Sequence, residues 1–367
     1  MQTWLKAKRV GFCLSDKKRK KLNLLVFAEL CRTRGIEVVQ IDLTRSIEEQ
    51  GPFDLIVHKL SDLMRDATQN DTQSQQLVQK FQDYVEAHPQ IILLDPLPAM
   101  RRLSDRFQSY KLIQELQAQD KVCKTRVAQG SSSHDMALIF NEDGLRDVTP
   151  PCVLQSFINH NAILYKIFVI GQSYFVAKRP SLRNFAVGQS DQKTIFFNSH
   201  EVSKPESCSH LTERGEGDRL PSGPSDRIIQ FISQGLQAAL GLSLFGVDVI
   251  VDNKTSKLAL IDINAFPGYE GVPEFFSALL NHMEALLRER ERDPQGRGLL
   301  ANRPGAGRWC RDLPEAWSPA PISNRANGLG SEGWEPEEAP MGKRASESGC
   351  FQDFSLPPAG LCQSTCE

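Results

Sequence analysis

The chain has 367 residues and almost no net charge: 43 Lys and Arg stand against 45 Asp and Glu, leaving −2. No global field of one sign favours nucleic acid or an anionic membrane as a partner, so a polyanion site has to be a local cluster. No apolar run reaches the roughly 20 residues that a membrane helix needs. The opening residues, Met1 to Arg9, lack the apolar centre of a secretory signal. The nine cysteines include no C-x-x-C pair, and no zinc pattern is present. Cys13, Cys31, Cys123 and Cys152 sit in apolar runs, as reduced core thiols do. A cytoplasmic protein is expected, and a monomer is the simplest assembly. There is no internal repeat.

What is present divides in three. Residues 291–367 hold 9 of the 21 prolines and 10 of the 25 glycines and lose all apolar periodicity. Such a segment buries too little surface to offset its ordering entropy and is expected to be a disordered tail. Residues 1–100 alternate strand and helix signals. Apolar or β-branched runs at 9–14, 36–43, 53–57 and 91–94 are separated by helical periodicity at 18–33 and 72–87, and a further helix is expected over 104–117. This βαβ order predicts a parallel, doubly wound sheet with ligands at the carboxyl ends of its strands. From 101 to 290 the character changes. Short runs at 153–157, 163–169 and 174–177 read as one antiparallel sheet. A helix over 225–240, strands at 246–251 and 258–263, and a last helix over 273–289 follow.

The strongest chemical signal is an acidic hairpin. Asp248 interrupts an apolar strand, and Asp262 and Asn264 interrupt the next. Side chains two apart on a strand share a face, and antiparallel pairing can bring Asp248 beside them. Two carboxylates and an amide oxygen suit Mg²⁺, a hard cation that binds through oxygen and substrate phosphates. Lys124 precedes the small polar loop 129–134, which could cradle nucleotide phosphates. Arg106 opens a helix and could reach a phosphate. The segment Gln155, Ser156, Phe157, Ile158, Asn159, His160 runs from a strand edge into a loop, where backbone groups could read adenine. Five basic residues, Lys17 to Lys21, follow the first strand, and Lys59 ends the third. Both are ligand positions in a doubly wound sheet and suit a small polyanion. Lys166, a charge among apolar strand residues, requires an anionic partner. His134 reads equally well as a capping or core histidine and as a ligand contact.

With the stretches Arg179-Pro180-Ser181-Leu182, Phe196-Phe197-Asn198-Ser199-His200, Val202-Ser203-Lys204-Pro205 and Ile261-Asp262-Ile263-Asn264-Ala265-Phe266-Pro267-Gly268-Tyr269, the chain resembles the inositol-tetrakisphosphate 1-kinase (inositol trisphosphate 5/6-kinase) family of ATP-grasp enzymes, from Met1 to about Leu287. The resemblance implies an α/β (α+β) fold with an N-terminal Rossmann-like domain (1–100) that binds inositol phosphate, and an ATP-grasp domain (101–290). It implies phosphorylation of inositol tris- and tetrakisphosphates with ATP as donor and two Mg²⁺ ions. By resemblance, Lys18, Lys59, His134, Lys166 and Asn264 contact the inositol phosphate. Arg106, Lys124, the segment 155–166 including Asn161, and Ser181, Ser199 and Ser203 hold ATP. Asp248, Asp262 and Asn264 bind the metal, and Asp262, Asn264 and Lys124 lie at the reacting centre. Between Leu116 and Cys123 the family has several tens of residues where this chain has only 117–122, so the central ATP-binding subdomain is expected to be truncated. Gln129 stands where the family usually has histidine. The alternatives are a catalytically impaired inositol-phosphate-binding isoform and an ATP-grasp carboxylate–amine ligase. The basic residues at 18 and 59 favour the polyphosphate over the ligase.

Overall fold

The computed structural model describes residues 7–106, 108–109, 122–125, 131–186, 192–207, 209–215 and 222–293. The expected tail beyond 293 lies outside them, as do 117–121 and Gln129.

The first sheet is parallel. Strands β1 (Lys8–Cys13), β2 (Ile36–Gln40), β3 (Leu55–His58) and β4 (Ile92–Leu94) lie in the order β2-β1-β3-β4. Both faces are covered, so these strands read as continuous apolar runs. Gly11 in β1 leaves room for Ile41, whose Cδ1 would lie 2.5 Å from a Cβ there. The helical pattern expected over 18–33 is two helices, α1 (Asp16–Lys21) and α2 (Leu24–Thr33). Asn23 separates them in the left-handed region at φ 49°, a conformation that asparagine tolerates better than most residues. Helices α3 (Ser61–Thr68) and α4 (Thr72–Ala87) link β3 to β4, and Asp71 caps α4 through the Ser74 amide. Helix α5 (Leu97–Ser104) then leads out of the sheet, and a new helical turn starts at Arg106 rather than at 104.

The second half contains two antiparallel sheets where the sequence suggested one. Strands β5 (Val122–Thr125), β6 (Asp135–Leu138), β7 (Cys152–Gln155) and β10 (Ile195–Asn198) form a small sheet in the order β10-β6-β5-β7. Strands β8 (Ile163–Ile170), β9 (Ser173–Pro180), β11 (Leu244–Val251) and β12 (Leu258–Ala265) form the larger one, ordered β12-β11-β8-β9. The chain breaks between β7 and β8 because Asn161 and Ala162 both take positive φ, 55° and 56°. Helix α7 (Asp226–Leu240) packs Ile229, Ile232 and Leu236 on one face of the larger sheet, against Ile167, Val247 and Leu260. The short α6 (Ser199–Ser203) follows β10.

The last helix, α8 (Phe275–Arg292), returns to the first sheet. Its Leu279, Leu280, Met283 and Leu287 join Val10, Phe12, Leu55 and Val57 in one buried core. It also passes residue 290, the expected end of the folded region, and Glu291 pairs with Lys8 at 2.9 Å.

Candidate active site

The face of the larger sheet opposite α7 carries three charged side chains in register, of which Asp248 is buried. Lys166 on β8 pairs with Asp248 on β11, which pairs with Asp262 on β12. Lys166 Nζ lies 3.1 Å from Asp248 Oδ1, and Asn264 Nδ2 donates to Asp262 Oδ2 at 3.2 Å. Strict alternation would not give this face. Leu258 and Leu260 point into the α7 core, and two residues further on Asp262 would follow them. A bulge between Asp248 and Val249 in the β11–β12 pairing shifts the register. It turns Ile263 and Ala265 into that core and brings Asp262 and Asn264 to the side of Asp248. Burial opposes the charge on Lys166, yet Asp248 and then Asp262 outweigh it and raise its pKa. The expected acidic site is therefore assembled, and Lys166 has its anionic partner.

Directly after β12 lies a loop, Phe266–Gly271, gripped by lysines of the first domain. Lys59 Nζ donates to the Phe266 carbonyl at 2.9 Å. Lys18, 7% exposed, donates to the same oxygen at 3.2 Å and to the Pro267 carbonyl, and its ammonium sits 4.2 Å from the centre of the Phe266 ring. Lys21 pairs with Glu270, whose backbone carbonyl accepts from Arg179 Nη2 at 2.7 Å. The loop holds its shape through residues with positive φ, Phe266 at 40°, Tyr269 at 53° and Gly271 at 77°. Tyr269 anchors it by donating to the Val169 carbonyl at 2.9 Å and stacking on Phe275 at 4.5 Å.

For Lys18 and Lys59, the nearby carboxylates Glu270 and Asp62 do not outweigh burial. Burial, with Lys59 and Lys21 nearby, pushes Lys18 down to about 6 from an ordinary 10.5. Burial also lowers Lys59. The unfolded chain holds the Lys18 proton more tightly than the fold does, so between about pH 6 and 10.5 this residue makes stability rise with pH. A polyanion bound here reverses the shift. At pH 8, above the second phosphate pKa of about 6, its binding should take up protons. Titration calorimetry in two buffers of different ionisation enthalpy measures that uptake directly, and zero uptake would refute the depressed lysine.

The remaining candidates surround the small sheet. Arg106 is buried and donates to the Ser133 carbonyl at 2.9 Å. His134 Nδ1 meets Ser199 Oγ at 3.2 Å, and its ring lies 3.6 Å from that of His200. Burial, then His200 and Arg106, pushes His134 down to about 4, so it is neutral at physiological pH. Ser199 and Ser203 open and close α6. The backbone of Lys124 lies on β5 opposite Met136 and Val153; its side chain is outside the description. Gln155 ends β7, buried, and Ser156, Phe157 and Ile158 lead toward the larger sheet. Asn159 exchanges hydrogen bonds with Phe185, at 2.7 and 2.9 Å, and Asn161 accepts from Asn184 and Asn253. These amides fix the course of the segment.

Two of the residues expected to hold ATP, His160 and Ser181, are turned toward each other. The Ile158 carbonyl can only accept, so His160 Nδ1 carries the proton, and Nε2 accepts from the Ser181 hydroxyl at 2.7 Å. Burial lowers His160 to about 4 and keeps it neutral. The Ser181 amide is occupied as well, by the Ala162 carbonyl at 2.9 Å. This pair shapes the segment from within.

Known families match this arrangement. A model described as the inositol 1,3,4-trisphosphate 5/6-kinase pre-ATP-grasp domain covers residues 9–100, and the ATP-grasp domain of the same kinase covers 100–285. The chain belongs to the inositol 1,3,4-trisphosphate 5/6-kinase family. An inositol-tetrakisphosphate 1-kinase of Xenopus laevis is 54% identical over 321 residues, which takes in 78% of this chain and 81% of the relative. The Danio rerio protein of that name is 52% identical over the same shares. One from Glycine max is 29% identical over 76% of this chain and 89% of its own length. The 321-residue match is longer than the 78% of this chain taking part in it, so the Xenopus kinase carries residues with no counterpart here. Residues 117–121, where a shortening was expected, lie outside the described residues. The small sheet nonetheless has its four strands. Three residues around the loop were not singled out as contacts from the sequence. Lys21 shares a helix face with Lys18 by its i, i+3 spacing, but it was hidden in a run of five basic residues. Glu270 and Arg179 meet only through the loop.

Proposed function

We propose that this chain transfers the γ-phosphoryl group of ATP to a hydroxyl of an inositol tris- or tetrakisphosphate. The observation that supports this most is continuity. The face of Asp248, Asp262 and Asn264 and the lysine cluster at Phe266 lie on one run of chain, two residues or about 7 Å apart along the strand. A donor phosphate held at the first and an acceptor polyanion held at the second would be close enough for in-line displacement.

Two carboxylates and an amide on one face fit a hard divalent cation, and Lys166 already marks that face as one that draws positive charge. Asp248, Asp262 and Asn264 would hold Mg²⁺, which when bound supplies neutralisation of phosphate oxygens. Lys166 would share its charge between Asp248 and a phosphate. Lys18 and Lys59 would bind and orient the inositol phosphate. His134, neutral and tied to Ser199, would donate a hydrogen bond to it. Arg106, Lys124 and the 155–161 segment would line the nucleotide, with His160 and Ser181 keeping that segment in place. As the hydroxyl oxygen forms the new bond to phosphorus and ADP leaves, the hydroxyl proton would pass to Asp262 or to water, while positioning and charge neutralisation supply most of the barrier reduction.

The test is turnover of inositol 1,3,4-trisphosphate with ATP and Mg²⁺ by the purified chain, read as the appearance of a tetrakisphosphate. Because the Xenopus relative carries residues that this chain lacks, the second reading is a binder. Tight inositol phosphate binding without nucleotide binding or product would establish it. Replacing Lys59 with Ala should raise the KM for inositol phosphate by about 10- to 100-fold, one charge-assisted hydrogen bond, with little change in the KM for ATP. A selective ATP defect would place Lys59 on the other substrate.

A further inference from the structure

The loop that follows β12 presents the first-domain lysines with two carbonyl oxygens and one carboxylate, all within five consecutive positions: Phe266 and Pro267 for Lys18 and Lys59, and Glu270 for Lys21. Carbonyls are neutral acceptors that a phosphate oxygen readily replaces. Glu270 is different, because it brings a full negative charge to the rim of a cationic pocket. Its side chain is about half exposed, 55%, and that of Lys21 is 46% exposed, so the pair is open to exchange. Two features hold it in place. Arg179 fixes the Glu270 carbonyl, and Gly268 lets the Lys21 ammonium lie close to the backbone, where an added Cβ would come within 3.1 Å of Lys21 Nζ. Lys21, then Arg179 and Lys166, hold the Glu270 carboxyl below its ordinary range, although burial opposes them; cations from three elements converge on it.

We propose that Glu270 is an internal counter-anion of the substrate pocket: it occupies Lys21 in the free protein and must yield that lysine to a substrate phosphate, which makes it a specificity-determining residue for how many phosphates a bound polyol needs. This rests on the reading of the Lys18 and Lys59 cluster as the inositol phosphate site. Lys21 becomes the third lysine of that site. A weakly charged polyol cannot outcompete a tethered carboxylate, whereas a trisphosphate or tetrakisphosphate can.

The experiment is calorimetric titration of the full chain with inositol 1,3,4-trisphosphate, without nucleotide, for the wild type, Glu270→Gln, Lys21→Met and the double variant. Glu270→Gln should bind about fivefold more tightly, the effect of one nearby screened charge, and the gain should shrink as salt is added. Lys21→Met should bind more weakly. In the double variant the gain from Glu270→Gln should vanish. Both residues lie at an exposed rim, so the variants should keep the wild-type melting temperature. If the wild type binds and Glu270→Gln binds equally or more weakly, there is no counter-anion. A gain that survives in the double variant overturns the part given to Lys21. Absence of binding by the wild type itself overturns the pocket assignment, and this inference with it.

Discussion

Replacing Asp262 with Ala should lower kcat by about a thousandfold or more, the scale for losing a principal electrostatic contact at a phosphoryl-transfer centre. The fold should be nearly indifferent. Asp262 is only half-buried and lies directly across from Asp248, so its removal relieves a like-charge approach while costing Asn264 one acceptor and Lys166 one attracting charge. The melting temperature should therefore stay level or rise slightly. Steady-state turnover at saturating ATP, beside a thermal melt, separates the two effects. Retained activity would refute the role given to the carboxylate face, and lost activity with a collapsed melt would mean that the residue is structural.

The largest expected loss of stability lies elsewhere, at Asp95. This carboxylate is 4% exposed and sits at the carboxyl end of β4. Its two oxygens accept from the Ser243 amide at 2.7 Å and the Leu244 amide at 2.8 Å, and its own carbonyl accepts from His58 Nε2 at 2.6 Å. It thus joins the first sheet to the start of β11. Replacement by Ala would strand the buried Leu244 amide and the half-buried Ser243 amide, at about 1–3 kcal/mol for a buried group, so a loss of roughly 2–4 kcal/mol is expected in urea unfolding followed by circular dichroism. Asn keeps one acceptor oxygen and should lose about half as much. A loss under 1 kcal/mol for the Ala variant would mean that water reaches both amides.

The parallel sheet was legible because its strands are buried on both faces and keep their apolar runs whatever their neighbours. Helix α4 was read to the residue because Asp71 and His88 bound it. The split of 16–33 into two helices was not visible, since Asn23 interrupts without breaking the apolar period. Strands β6 and β10 were missed for a similar reason. They are short, belong to a small sheet and alternate too briefly to signal. In the site, Asp248, Asp262 and Asn264 stood out as acids and amide in apolar strands, yet their meeting depends on a bulge that no spacing rule reveals. Asp95, Arg179 and Glu270 do their work through partners more than 60 residues away, and local pattern carries no information about such pairings.

The return of α8 to the first sheet has a consequence for synthesis. Val10, Phe12, Leu55 and Val57 are all made within the first sixty residues, but the helix that covers them is the last described element of the chain. While the ribosome is still working through the second half, one side of the finished sheet stays bare and sticky. The nascent chain therefore depends on being shielded for most of its elongation. A stop codon anywhere before α8 leaves both halves of the molecule incomplete, not one.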